Sequence, residues 1–140
     1  MKSPLEEKTM QTGARSSKNK ILAGRILSAL PALFLLFDGV AKLFKPGPVV
    51  EGTVRLGYPE SVIVPLGIVL TLCTILYIIP RTAALGAILL TGYLGGAVAT
   101  HVRAGGTPFE ILFPVVMGAL VWGGLYFRDD RVSALIPVRS

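Results

Sequence analysis

Six ionisable residues, Asp38, Lys42, Glu51, Arg55, His101 and Arg103, bound the chemistry open to this chain. Asp38 and Lys42 stand four apart, acid before base, so on a helix they share one face in the favourable order. Glu51 and Arg55 repeat that spacing. His101 is the single histidine. A carboxylate, an ammonium group and an imidazole brought together would hold a polar head group or handle a proton. A lone histidine with no neighbouring Cys or His is a poor start for a metal site, and no metal is expected. There is one cysteine, Cys73, inside an apolar run, and no CxxC, which excludes a self-contained thiol–disulfide relay. Cys73 reads as a small packing residue. No catalytic set is complete, so the chain is not expected to be an enzyme by itself.

Each of these residues also has a plainer structural role. Asp38–Lys42 reads first as a self-neutralising pair that lets Lys42 snorkel outward. Its functional alternative is the polar wall of a pocket. His101 is expected to hydrogen-bond to Asp38 or to the loops beside it, and Arg103 reads as an interfacial stop rather than a ligand clamp.

The elements that must position these groups are membrane spans. The chain has 140 residues, 52% hydrophobic and 16% charged, with a mean hydropathy of +0.67. A soluble domain carries about 25% charged residues. Ser61–Pro80 and Ile111–Phe127 contain no charge, and neither does Thr82–Thr100. The last, at about 1.5 Å per residue, makes roughly 28 Å of apolar helix, close to the hydrocarbon thickness of a bilayer. Three such helices, apolar on every side, do not hide inside one small soluble domain. Burial in lipid is the simpler account.

The predicted architecture is all-α, an integral membrane four-helix bundle with helices at about 21–44, 62–79, 83–102 and 111–127. Met1–Lys20 is polar, without apolar period, and is expected to be a disordered tail. No A-x-A site follows the first apolar run, so that helix is expected to stay as an anchor. Lys45–Ser61 reads as a connector with one or two turns of interfacial helix. Pro80-Arg81-Thr82 is too short for anything but an antiparallel hairpin, and residues 128–140 form a short charged tail. Small residues four apart, Gly92 with Gly96 and Ala119 with Gly123, are expected to let neighbouring helices approach closely.

The formal net charge of +6 does not point to nucleic acid. The cations sit at the ends of apolar runs, not on a face interleaved with aromatics. They read instead as topology determinants. Lys2, Lys8, Arg15, Lys18, Lys20, Arg25, Arg81, Arg128, Arg131 and Arg139 fall on one side, against Lys42, Lys45, Arg55 and Arg103 on the other. That asymmetry predicts both termini in the cytoplasm and gathers the six candidate residues at the outer rim. Asp38 lies about six residues, near 9 Å, inside the outer end of its helix, so it should face the bundle and find a partner.

These residues together resemble the DoxX-like family of small four-helix membrane proteins. The likeness lies in Arg25, in Phe37-Asp38-Gly39-Val40-Ala41-Lys42-Leu43, in Leu56-Gly57-Tyr58-Pro59 and in Pro65-Leu66-Gly67. Its most distinctive run is Leu94-Gly95-Gly96-Ala97-Val98-Ala99-Thr100-His101-Val102-Arg103. It covers about Ile21 to Phe127. The resemblance implies a multi-pass protein of a bacterial cytoplasmic membrane. It also brings an association with quinone-linked oxidation, from the subunit that gives the family its name. The leading reading is an accessory or binding protein for a small lipophilic, quinone-like ligand. A membrane subunit of a quinone-linked oxidoreductase, working with a membrane or soluble redox partner, is the second reading. A small transporter component ranks last, because neither inverted repeats nor helices broken at mid-membrane are visible.

Overall fold

The computed structural model describes residues 3–135, with backbone only at 16 and 17. Lys2 and Arg139, counted above, lie outside them, as does the end of the charged tail. The elements among the described residues are all helical, without strands: α1 (Pro4–Phe44), α2 (Gly47–Arg55), a 3₁₀ turn (Glu60–Val62), α3 (Ile63–Ile78), α4 (Ala83–Arg103), α5 (Pro108–Arg128) and α6 (Asp130–Leu135). Four helices, α1, α3 with its 3₁₀ turn, α4 and α5, are long and apolar enough to cross a membrane.

The four close into a ring. α1 packs against α3 and α5, and α4 packs against the same two. The core is thin, as expected where lipid covers the perimeter. Leu70, Tyr77, Ala87, Leu90 and Val121 are sealed inside, while Leu33, Phe37, Leu72, Ile88 and Leu112 point outward. Without a hydrophobic driving force between helices in lipid, close packing and interhelical hydrogen bonds must hold such a bundle. Tyr77 supplies the central tie. Its hydroxyl bonds the Val121 carbonyl on α5 at 2.7 Å and Ser28 Oγ on α1 at 3.0 Å. Trp122 Nε1 donates to Thr91 Oγ1 at 2.7 Å, joining α5 to α4.

The close approaches are not at the predicted glycines. A Cβ on Gly24 would stand 2.8 Å from the Arg128 backbone nitrogen, and one on Gly67 would stand 2.8 Å from the Gly39 carbonyl. Gly124 lies against the Ser28 backbone, and Gly86 against that of Tyr77. Gly92, Gly96 and Gly123 face open space, and Ala119 is exposed. Within the bundle, the helices meet at Gly24, Gly67, Gly86 and Gly124 rather than along these four-residue rows.

Two further expectations are corrected. Residues 4–20 continue α1 as helix, giving it 41 residues, although the sequence predicts disorder there. The cause is local. Ser3 and Glu6 form a reciprocal capping box, Pro4 occupies the first turn, and Glu6 and Glu7 favour the positive end of the helix dipole. This extension is exposed where its side chains are described, and propensity and capping support it. The charged tail also begins as helix. α6 turns back, and Val132 joins the core.

The links fix the two ends. Thr82 Oγ1 donates to the Leu76 carbonyl at 2.7 Å, closing the α3–α4 hairpin. At the opposite end Lys45 takes a left-handed conformation (φ 52°) after α1, and Pro46 is the extended N-cap residue before α2. Thr107 and Glu110 form a second capping box at the start of α5. The end of α1, all of α2, the end of α4 and the start of α5 therefore meet at one end of the bundle.

Candidate functional site

The carboxylate of Asp38 is turned inward by α1 and is met at once by its own helix. Lys42 Nζ donates to Asp38 Oδ2 at 2.6 Å. The side chains are 14% exposed for Lys42 and 36% for Asp38, so the pair sits at a boundary and is neither sealed nor free. It lines a cavity of about 520 Å³ between α1, α2, α4 and α5. That size lies within the ordinary range for small-molecule sites.

Of the six predicted residues, Asp38, Lys42, Arg55 and His101 line this cavity. Glu51 and Arg103 are exposed and stand outside it. Arg55 does not pair with Glu51, four residues before it. Its guanidinium reaches across to Glu110 Oε1 on α5 at 3.1 Å. Glu110 is already positioned by its capping box, since Oε2 accepts from the Thr107 backbone N–H at 2.9 Å. The α2 helix is thereby tied to α5 over the mouth of the cavity. Because Arg55 is 74% exposed, solvent screens the tie and it contributes little to stability.

His101 departs from expectation. Among the described residues its side chain has no hydrogen-bond partner, and Nδ1 is buried. It does not bond to Asp38. A buried imidazole nitrogen without a partner costs free energy unless something fills it. One turn of helix deeper, the lining changes character. Phe34 and Phe113 meet edge to face at 5.1 Å, and Tyr93, Leu94 and Met117 complete the inner wall. Helix register alone sets this gradient. On α1 Phe34 precedes Asp38 and Lys42 by one and two turns, and on α4 Tyr93 precedes His101 by two. The cavity is polar at its rim and apolar toward the middle of the bundle.

Two uncharged residues, Tyr58 and Thr100, also line the cavity. Tyr58 Oη lies 2.8 Å from Thr100 Oγ1. Thr100 donates its only hydroxyl proton to the Gly96 carbonyl at 2.8 Å, so Tyr58 is the donor to Thr100. The Tyr58 oxygen keeps its lone pairs for another partner at the cavity. Neither residue carries charge, and Tyr58 lies in a turn whose placement over the bundle only the fold reveals. Gly92 and Gly96 belong to the same surface. Lacking side chains, they widen the cavity, which is why no neighbouring helix touches them. Among the described residues no three His, Cys, Asp or Glu side chains gather as a metal-binding group.

A ring of four apolar helices joined by short links, with an amphipathic cavity at one end, defines a multi-pass membrane bundle. The model of the DoxX-like family matches residues 26–124, well over half the chain, and this protein belongs to that family. The matched stretch takes in every residue that lines the cavity. No curated protein and no solved structure matches the chain.

Proposed function

We propose that the protein is an accessory or binding protein that holds a small lipophilic molecule of quinone type in the rim cavity. It carries no complete catalytic set of its own. The reading is carried by one observation, the gathering of Asp38, Lys42, Tyr58 and His101 at the polar edge of an otherwise aromatic and aliphatic recess. A ring bearing carbonyl oxygens would accept from donors at the rim. Its apolar tail would follow Phe34, Phe113 and Met117 inward. In this reading Asp38 keeps Lys42 neutralised until a ligand oxygen competes for the ammonium group, and the Arg55–Glu110 tie holds α2 over the mouth.

The same reading sets the protein in a bacterial inner membrane with both termini cytoplasmic. Its support is the excess of Lys and Arg at the Arg25, Arg81 and Arg128 end. A C-terminal reporter active only in the periplasm should be silent, and activity would reverse the orientation. The site itself is tested by extraction in native lipid followed by mass spectrometry of bound small molecules. A copurifying quinone, lost from His101→Ala, is expected. Recovery of phospholipid alone, with no thermal stabilisation by an added short-chain ubiquinone, would overturn the assignment. A stable redox partner in the same preparation would favour the subunit of an oxidoreductase complex over a free-standing binding protein.

A further inference from the structure

At the far end of the bundle, away from the rim cavity, a second recess of about 430 Å³ opens between α1, the α3–α4 link and the α5–α6 junction. Three arginines surround it, Arg25, Arg128 and Arg131. Their charge alone would only mark a membrane boundary, but their bonding is specific. Arg128 is locked in place. Its Nη2 donates to the Tyr77 carbonyl at 3.0 Å, and its guanidinium lies 4.9 Å from the Tyr77 ring centroid. Held this way, it presents a buried Nε with no acceptor. Arg25 has no hydrogen bond or ion pair among the described residues and is exposed. Among the described residues, the Arg131 side chain reaches only its near neighbour, Asp129, at 3.5 Å.

Two carboxylates share the recess. Asp129 Oδ1 is occupied by Arg131, through Nε and through the backbone N–H at 3.0 Å, and Asp130 begins α6. Three cations against two anions leave the recess net positive, with the donors of Arg25 and the Nε of Arg128 unused among the described residues. Ile21, Ala83 and Leu125 make its apolar floor, and Leu22, Ile78 and Ile79 lie exposed at the same level of the bundle.

We propose that this recess binds a phosphate group, with Arg25 and Arg128 as its principal donors and Arg131 at its lip. Arginine forks suit the several acceptor oxygens of a phosphate, and charge-assisted bonds of this kind are strong. Basic recesses between spans are suited to the head groups of anionic lipids, whose chains would run along the exposed apolar residues. A soluble phosphate would use the same donors without those chains.

The test uses the full chain in a neutral detergent. Native mass spectrometry counts retained phosphatidylglycerol against phosphatidylcholine, and thermal midpoints are followed with each lipid and with inorganic phosphate. Phosphatidylglycerol should be retained over phosphatidylcholine by about tenfold. The preference should fall to parity in Arg25→Gln/Arg131→Gln, and in the two single variants it should fall part of the way. Both side chains are exposed, so these variants should fold, and their midpoints in plain detergent verify it. Arg128 is left intact because it also secures Tyr77. Arg103→Gln, at the opposite end, should keep the preference. Stabilisation by phosphatidylglycerol alone assigns a lipid head group, and equal stabilisation by inorganic phosphate assigns a soluble source. Either supports the site if the Arg25/Arg131 variant abolishes it. A wild-type chain that retains both lipids equally and ignores phosphate overturns the proposal, as does a variant that keeps the wild-type preference.

Discussion

The Asp38–Lys42 pair carries two roles that separate by substitution. Asp38→Asn leaves the Lys42 ammonium, only 14% exposed, without its counter-ion. The expected loss is about 1–3 kcal/mol of stability, read as a lower thermal midpoint in detergent. Asp38→Asn/Lys42→Met removes both charges. It should recover most of that loss, because an apolar replacement of a partly buried pair is often neutral. If the pair also forms the polar wall of the cavity, the double variant will be stable yet fail to bind a short-chain ubiquinone. A double variant that is stable and binds normally confines the pair to electrostatic balance. His101→Gln makes the complementary case. It keeps a hydrogen-bonding side chain at the rim while changing its shape. Ligand affinity should fall by about tenfold, a shift of roughly 1.4 kcal/mol, measured by the ligand-induced rise in midpoint. Stability without ligand should stay within about 0.5 kcal/mol, because no protein partner is lost. The inward turn of Asp38 was legible in the sequence, since a carboxylate inside a span has little choice. The isolation of His101 was not, because it depends on where α1 and α2 come to rest beside α4.

At the scale of the helices, two adjacent glycines on α5 make an internal control. Gly124 lies against the Ser28 backbone of α1, whereas a Cβ on Gly123 would meet nothing within 4 Å. Gly124→Ala must therefore push α1 and α5 apart, at a cost of about 1–3 kcal/mol. Gly123→Ala relieves only the helix penalty of glycine and should be neutral or stabilising by up to about 1 kcal/mol. Thermal midpoints of the two variants in one detergent decide it, and equal effects would refute the placement of α5 against α1. The sequence suggested Ala119 and Gly123 as the packing pair, one helix position from the residue that makes the contact. One position is a rotation of about 100°, enough to move a residue from the interface toward lipid. In a helix apolar on every face, periodicity shows that rows exist but not which row meets a neighbour. Span positions were readable for the opposite reason. Length, lack of charge and the Pro80-Arg81-Thr82 link leave few alternatives. The extension of α1 below Ile21 escaped because capping is local and owes nothing to apolar period.

The molecule as a whole has two unlike ends joined by a shared core. Tyr77 stands near the centre of that connection. Its carbonyl accepts from Arg128 beside the arginine recess, and its hydroxyl holds α1 and α5 together below the rim cavity. The N-terminal stretch of α1 takes no part. Residues 4–20 are exposed where side chains are described, and the family match begins only at residue 26. Lys20 Nζ reaches back toward the bundle, 5.9 Å from the Tyr126 ring centroid, a distance at which a cation adds little. A chain lacking residues 2–18 should therefore insert, elute as a single species in detergent and melt within about 0.5 kcal/mol of the full protein. The truncation keeps Arg25, Arg128 and every residue of the rim cavity, so binding at either end should persist as well. Aggregation of the shortened chain, or a midpoint several degrees lower, would mean that the extension packs against the bundle or a second copy, and the bundle could not then be treated as complete from Ile21 onward. Unchanged melting together with weaker retention of anionic lipid would have a narrower meaning. Lys8, Arg15 and Lys18 would then be attracting the lipid from a distance, and Arg25 with Arg128 would be holding it.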